Sequence, residues 1–397
     1  MNGGWPTKTL GQLCQLVSGQ HIDAKDYNTE SRGIGYLTGP SDFGPLNPVI
    51  SKWTEHPRVK AKRGDILITV KGSGVGKINL LDEDEVAISR QLMAVRVNGA
   101  DPWFVHAILS STFDHFQSLS TGAAIPGISR EQVLGLKIAL PPLPEQQRIV
   151  GILDEAFDGI ATAKANTEKN LQNARALFES YLQSVFSQRG EGWVETTIGE
   201  VCNIKHGFAF DGADFSNDVP EGNPLVITPG NFTEDGKLLF NDWNTKRFIN
   251  DAPAGYQFDI GDLVVVMTDL SSKMKILGKP AFVETDDVLH NQRIGRVIFL
   301  NERIEKRLLY YFMMTESFLK SIKMTATGTM VKHTAPKRIL SNVIPFPENR
   351  KEQRAIISKL NALRKETQRL ESICRRKLTA LDELKKSLLH QAFSGQL

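Results

Sequence analysis

The chain is written twice, and this constrains its fold more than any other feature. "WPTKTLGQLCQLVSG" begins at Trp5 and "WVETTIGEVCNIKHG" at Trp193, so that Trp5, Thr9, Gly11, Cys14 and Gly19 all recur 188 residues later. Gly64 of "RGDILIT" is answered by Gly261 of "IGDLVVV" at 197, and Gly76-Lys77 by Gly278-Lys279 at 202. Thr121-Gly122 returns as Thr327-Gly328, and "LPPLPEQQRIV" (140–150) as "FPENRKEQRAI" (346–356), both at 206. Ordered matches with so slowly drifting an offset mark a tandem duplication. Whatever one half folds into, the other half folds into as well.

Each half changes character once. Residues 1–143 and 190–350 alternate short β-branched runs ("GDILITV", "AVRV", "DLVVVM", "GRVIF") with Gly, Pro, Asn and Asp, which reads as two similar strand-rich domains. "PWFVHAILSSTFDHFQSLS" and "RLLYYFMMTESFLKSI" occupy the same place in both halves and carry helical apolar spacing. In 144–189 and 351–397 the glycines and prolines almost vanish, and a helical pattern runs for about 44 residues, roughly 66 Å at 1.5 Å per residue. Both helices carry heptads. Ile149, Leu153, Ala156, Ile160, Ala163, Thr167, Asn170, Ala174, Leu177 and Tyr181 step alternately by four and three, and so do Ile356, Leu360, Leu363, Thr367, Leu370, Cys374, Lys377, Leu381, Leu384 and Leu388. Every pair differs by 207, so two matching seams are expected to pack on each other, with Asn170 and Lys377 as polar seam positions that fix register or open the coil. Because a globular domain returns the chain close to where it entered, the helices should run antiparallel. The expected architecture is therefore α+β: two similar strand-rich domains joined by an antiparallel coiled coil, with pseudo-two-fold symmetry.

Composition narrows the function. At 397 residues, 41% hydrophobic and 23% charged, the chain has the profile of a folded protein of two to three domains. It contains no apolar run near the ~20 residues of a membrane span, and "MNGGWPTKTL" lacks a signal peptide's basic-then-apolar start, so a cytoplasmic protein is expected. Cys14, Cys202 and Cys374 lie far apart with no CxxC and are expected to be buried small residues rather than disulfides or zinc ligands. The net charge of +3 is too small to argue for nucleic acid. Its distribution is more informative, since residues from 350 onward carry twelve Lys or Arg against five acids.

"TVKGSGVGKINL" (69–80) resembles a phosphate cradle. A P-loop, however, needs Gly where Lys71 stands and Ser or Thr where Ile78 stands, so a glycine-rich hairpin tip is the plainer reading of Gly72 to Lys77 and an NTPase the alternative. In the second half five extra residues enter here. The tip becomes "VMTDLSSKMKILGK", keeping only the final Gly-Lys. A fixed frame around a changing tip suits two domains that read different bases: Lys71, Lys77, Lys273, Lys275 and Lys279 can meet phosphates or guanine edges, and Ser73, Thr268, Ser271 and Ser272 can bond base edges. Arg90-Gln91 and Asn291-Gln292-Arg293 have the shapes for bidentate contacts to guanine and adenine. A third candidate surface is the glycine-bearing loop, with Thr121, Gly122, Thr327, Gly328 and Lys332; His333 there reads more simply as an ordinary surface or core residue.

Two related domains joined by matched helices suit a linear target with two half-sites, and DNA is the obvious one. The arrangement resembles the specificity (S) subunit of type I restriction-modification systems over essentially the whole chain. "ALPPLPEQQRIVGILD" (139–154) is very close to that family's junction between its first recognition domain and its helix, and "QAFSGQL" looks like its C-terminus. The resemblance implies target recognition domains at 1–143 and 190–350 and conserved spacer helices at 144–189 and 351–397. It further implies a non-catalytic subunit that binds double-stranded DNA, docks two methyltransferase subunits and, through them, restriction subunits. S-adenosylmethionine, ATP and Mg would belong to those partners, with no cofactor in this chain. The alternative setting is a methyltransferase complex without the cleavage subunits. In agreement, the sequence contains no [ND]-P-P-[FYW], complete P-loop, HExxH or GxSxG.

Overall fold

In the computed structural model, which describes residues 4–120, 126–216, 222–250 and 253–397, the duplication is visible strand by strand. The chain divides into two compact units, residues 1–168 with 375–397, and residues 169–374. In the first unit one four-stranded sheet runs in the order Cys14–Ser18, Leu92–Val97, Ile66–Thr69, Ile78–Leu80, and the other in the order Trp53–Thr54, Ile34–Leu37, Glu85–Ile88, Lys60–Lys62. The second unit repeats the first sheet as Cys202–His206, Ile294–Phe299, Leu263–Val266, Pro280–Phe282. Its other sheet runs Arg247–Phe248, Leu225–Ile227, Val288–His290, Gln257–Phe258, with Phe215–Ser216 added at one edge. Each second sheet holds one parallel pair, Gly35 opposite Val86 and Leu225 opposite Val288.

The sequence explains the middle strands. "ILIT" and "LVVV" are apolar throughout because every residue in them is buried, and each follows a glycine at positive φ (Gly64 +84°, Gly261 +87°) that turns the chain into the sheet. The aspartate after each glycine is used alike. Asp65 accepts from the amide of Lys62 and from Arg96 at 2.7 Å; Asp262 accepts from the amide of Asp259 and pairs with Arg296 at 2.8 Å.

Each stretch expected to be one helix is two, Pro102–Ser111 and Phe113–Leu119 in the first unit, Lys306–Met314 and Glu316–Met324 in the second. The break falls at Thr112 and Thr315, whose hydroxyls bond back to Leu109 O and Phe312 O. Phe104, Phe116, Leu308 and Phe318 from these helices fill the main core of their unit. Cys14 and Cys202 are buried with their thiols on Leu10 O and Ile198 O, and burial pushes them up to about 11 and about 12. Cys374 is only half-buried, unlike the other two.

The long helices span Leu143–Ser187 and Arg350–Ser394. Within each unit, segments of both lie antiparallel. Arg148 reaches Leu397 O while Lys164 pairs with Asp382 in the first unit, and Arg175 pairs with Glu371 while Leu182, Phe186 and Leu360 share one core in the second. A glutamine braces each helix start. Gln146 accepts from the amide of Asp101 and donates to Pro141 O; Gln353 accepts from the amide of Glu305 and donates to Pro347 O. This is the structural work of the repeated Glu-Gln after the prolines.

The seam follows the heptads only part of the way. Ile149, Leu153, Ile160, Thr167, Leu360 and Thr367 are buried, and Ile356, Leu363, Leu381 and Leu388 half-buried. Leu177, Leu370 and Leu384 are exposed, as are Asn170 and Lys377, so these five do not sit in the seam. Four of the five places are taken one residue on, by Phe178, Glu371, Leu171 and Leu378, all half-buried, with Leu182 and Leu389 buried behind Tyr181 and Leu388. The cause is the period. A 3.5-residue repeat drifts about 20° per heptad from a straight helix, and burial here keeps nearer to 3.6.

Candidate nucleic-acid interface

The segments that carry the candidate residues are far apart in sequence, and in each unit the fold ties their described parts together. The hub is a single extended residue. In the first unit Val70 N donates to Gln91 O at 2.8 Å and Val70 O accepts from Ile128 N at 3.0 Å. In the second, Met267 N donates to Arg293 O at 2.9 Å and Met267 O accepts from Thr334 N at 2.9 Å. The tip, the Arg/Gln edge and the glycine loop are thus tied to one backbone position, twice over.

In the first unit the tip is a hairpin between Ile66–Thr69 and Ile78–Leu80, closed by Gly76 N on Thr69 O. Gly76-Lys77 runs into a strand, so the loop lacks the helix N-terminus on which a P-loop rests its phosphate. Lys71, Ser73 and Lys77 are exposed, and so are Arg90 and Gln91. Gly72 (φ +96°) gives its amide to Pro126 O, beside a bridge between Lys71 and Gly127. Thr121 and Gly122 lie outside the described residues.

The second unit builds the same platform with other groups. Thr268 pairs with His333 and Asp269 with Lys332 in a short antiparallel ladder. Thr268 is buried, its hydroxyl 3.0 Å from His333 Nδ1, so it supports the tip from beneath. Asp269, also buried, shapes the enlarged tip by accepting from the amides of Ser271 and Ile276. Ser271, Ser272 and Lys273 are exposed on it. Lys275 is exposed but pairs with Glu234 at 2.8 Å. Lys279 is half-buried, and burial, then Lys323, holds its ammonium below the usual lysine range. Asn291 is buried and spends its oxygen on the amide of Arg293, Gln292 is half-buried, and Arg293 is exposed. Thr327 and Gly328 lie exposed on a tight hairpin, and the half-buried Lys332 donates to Gly328 O. Gly328 is required by that turn. At φ +95° a Cβ there would meet Val331 O at 2.0 Å.

Two supporting elements carry sequence signals that the candidate residues did not include. Gly19 and Gly207 run so close to the backbone just after Glu85–Ile88 and Val288–His290 that a Cβ would lie 2.1 Å from Ser89 O and 2.3 Å from Asn291 O. Their recurrence in the repeat marks this contact. A loop from Thr38 to Asp42, and its equivalent from Thr228 to Asn231, flanks the platform, with the threonine amide and hydroxyl both bonded to the Asp42 or Asn231 side chain. The signal was "TGPSDF" against "TPGNF", blurred by one residue of length.

Among the described residues no group of His, Cys, Asp and Glu side chains is arranged to hold a metal, and no helix is long and apolar enough to cross a membrane. What recurs is a non-metal platform of loops, offering cations, hydroxyls and amides on a duplicated α+β frame. Residues 2–173 and 190–377 match the family described as type I restriction modification DNA specificity domain, and the chain belongs to that family. It is similar to the type I restriction enzyme MjaVIII specificity subunit of Methanocaldococcus jannaschii, 26% identical across 99% of this chain and 93% of that one. Two solved structures share the fold at 18% identity. One, from work on complex assembly and conformational transition of the type I R-M system, has a TM-score of 0.79 over 100% of this chain and 99% of its own; the other, the HsdS subunit from Thermoanaerobacter tengcongensis, has 0.60 over 100% and 98%.

Proposed function

We propose that this specificity subunit reads a split DNA target, one half with each platform, and that the paired helices set the unspecified spacer and carry two methyltransferase subunits. The observation that carries this reading is the hub at Val70 and Met267. Identical backbone bonds hold tips of different length and chemistry, as expected of two modules that share a docking geometry and differ in the bases they contact. The subunit contributes recognition and no chemistry of its own. S-adenosylmethionine is bound by the methyltransferase partners, while ATP and Mg serve restriction subunits that join through them in the cytoplasm. Phosphate contacts dominate affinity for DNA, and the exposed cations of each platform are few, so the isolated chain binds DNA weakly and salt-sensitively until its partners close around the duplex.

A genome-wide adenine-methylation map of cells with and without the gene tests the proposal. A split motif that disappears on deletion supports it. An unchanged methylation pattern in a system shown to be active refutes it.

A further inference from the structure

Beyond cations and hydroxyls, the second platform presents something that the described residues of the first do not. Leu270 is 58% exposed, Met330 78% and Val331 37%. The antiparallel ladder pairs Thr268 with His333 and Asp269 with Lys332 and ends there, so Leu270 and Val331 are the residues that leave its two strands on the same side. Met330 sits at the turn of the hairpin closed by Thr327 and His333, whose amides and carbonyls are exchanged at 3.0 and 2.9 Å. Three large apolar side chains are therefore exposed where the end of this short ladder and the hairpin beside it meet solvent. At the offset of 197 Leu270 corresponds to Ser73, and the described part of the first platform, 70–77 and 126–128, exposes no large apolar side chain.

Such side chains are costly on a free surface and mark a contact site. Charge identifies the occupant. Lys273 is exposed on the tip, Arg293 on the Arg/Gln edge and Lys337 in the helix Pro336–Leu340 that follows the hairpin, while of the acids Glu234 is paired with Lys275 and Asp269 is buried and occupied by Ser271 N and Ile276 N. A cationic rim around an apolar crown complements a polyanion that carries apolar groups. The major groove of duplex DNA admits a two-stranded ribbon, and the 5-methyl of thymine is the one apolar group on its base edges. We propose that Leu270 and Met330, backed by Val331, read a thymine methyl group in the half-site of the second platform, where the first platform presents the hydroxyl of Ser73. The inference rests on the DNA-reading function above.

The test uses the chain assembled with its methyltransferase subunits, on duplexes carrying the methylation-mapped motif. Each thymine in the half-site assigned to the second platform is replaced in turn by uracil, which lacks only the methyl. One replacement is expected to weaken binding about four-fold, the effect of one buried methyl. Leu270→Ala with Met330→Ala should abolish that difference while leaving assembly and thermal unfolding unchanged. The inference is overturned by a half-site without thymine, by indifference to every replacement, by a difference that persists in the double variant, or by a double variant that no longer assembles, which would place the crown against protein. Failure of the underlying reading looks different, because no split motif would then depend on this chain.

Discussion

The two platforms differ where they would meet a ligand and agree where they meet their own domain. Agreement covers the hub residue, the Asp65–Arg96 and Asp262–Arg296 pairs, the buried thiols and the glutamine braces. Difference begins at Gly72, answered by Asp269, and at Ser73, answered by Leu270. It extends to how a neighbouring loop is anchored. In the first unit the loop at 44–47 rests on a strand, with Leu46 O accepting from the amide of Leu80 and the Asn47 side-chain Nδ2 donating to Leu80 O. In the second, the loop at 233–237 is tied to helices: Arg364 donates to Asp235 O at 2.6 Å and to the hydroxyl of Tyr310, which itself donates to Gly236 O at 3.0 Å. Along the long helices, Leu171 and its equivalent Leu378 are both half-buried, but other paired positions differ. Phe157 lies beneath Lys385 in the first unit, while at the same offset of 207 the second has Arg364 and Phe178. Duplication thus preserved the load path of the frame and left the surface groups free to diverge.

If the frames are equivalent, damage to either should cost alike. Arg96→Leu leaves Asp65 buried without its cation, and about 3 kcal/mol of stability should be lost. Arg296→Leu should cost a similar amount, read by denaturant unfolding. Strongly unequal losses would break the equivalence.

Acid should act on the second unit through a histidine that the first lacks at the equivalent place. His290 is buried, with Nε2 on Ile294 O at 2.8 Å, and burial, aided by Arg296 and Lys205, lowers it from 6.5 to about 4. The unfolded chain takes up this proton first, so stability present above pH 6.5 is lost as pH falls toward 4, by roughly 3 kcal/mol at most. The first unit has Ile88 at the equivalent place. His290→Ile should flatten the loss, and a pH profile identical to the unaltered chain would contradict the assignment.

The helix anchor is expected to be a smaller and local effect. Arg364→Ala should cost about 2 kcal/mol through its charged hydrogen bonds and raise hydrogen exchange at 233–237, with exchange in the first unit unchanged. Smallest for stability is Lys77→Ala at an exposed tip, within about 0.5 kcal/mol. In the assembled complex it should nonetheless lower the salt slope of DNA binding by about one.

Much of this was legible because it rests on local chemistry. The repeat, the hairpin at 69–80, the long helices and the buried Cys14 and Cys202 follow from spacing and residue type alone. The second half of the seam was not legible, since heptads were read at 3.5 residues per turn and the helices keep nearer 3.6; that is why Leu177 and Leu384 emerge on the exposed side. At the platform, residue type named suitable groups but could not tell which are exposed. Thr268 and Asn291 are buried supports, and Lys275 is paired. The hub itself left no trace, because Val70 and Met267 act through backbone groups that any side chain would permit.

The central claim, one platform for each half of one split target, is tested most directly by a hybrid. Residues 1–143 are exchanged for the first domain of another specificity subunit, and adenine methylation is mapped across the genome. The account predicts a motif in which one half changes while the other half and the spacer stay as they were. A motif altered in both halves, or in neither, would contradict it.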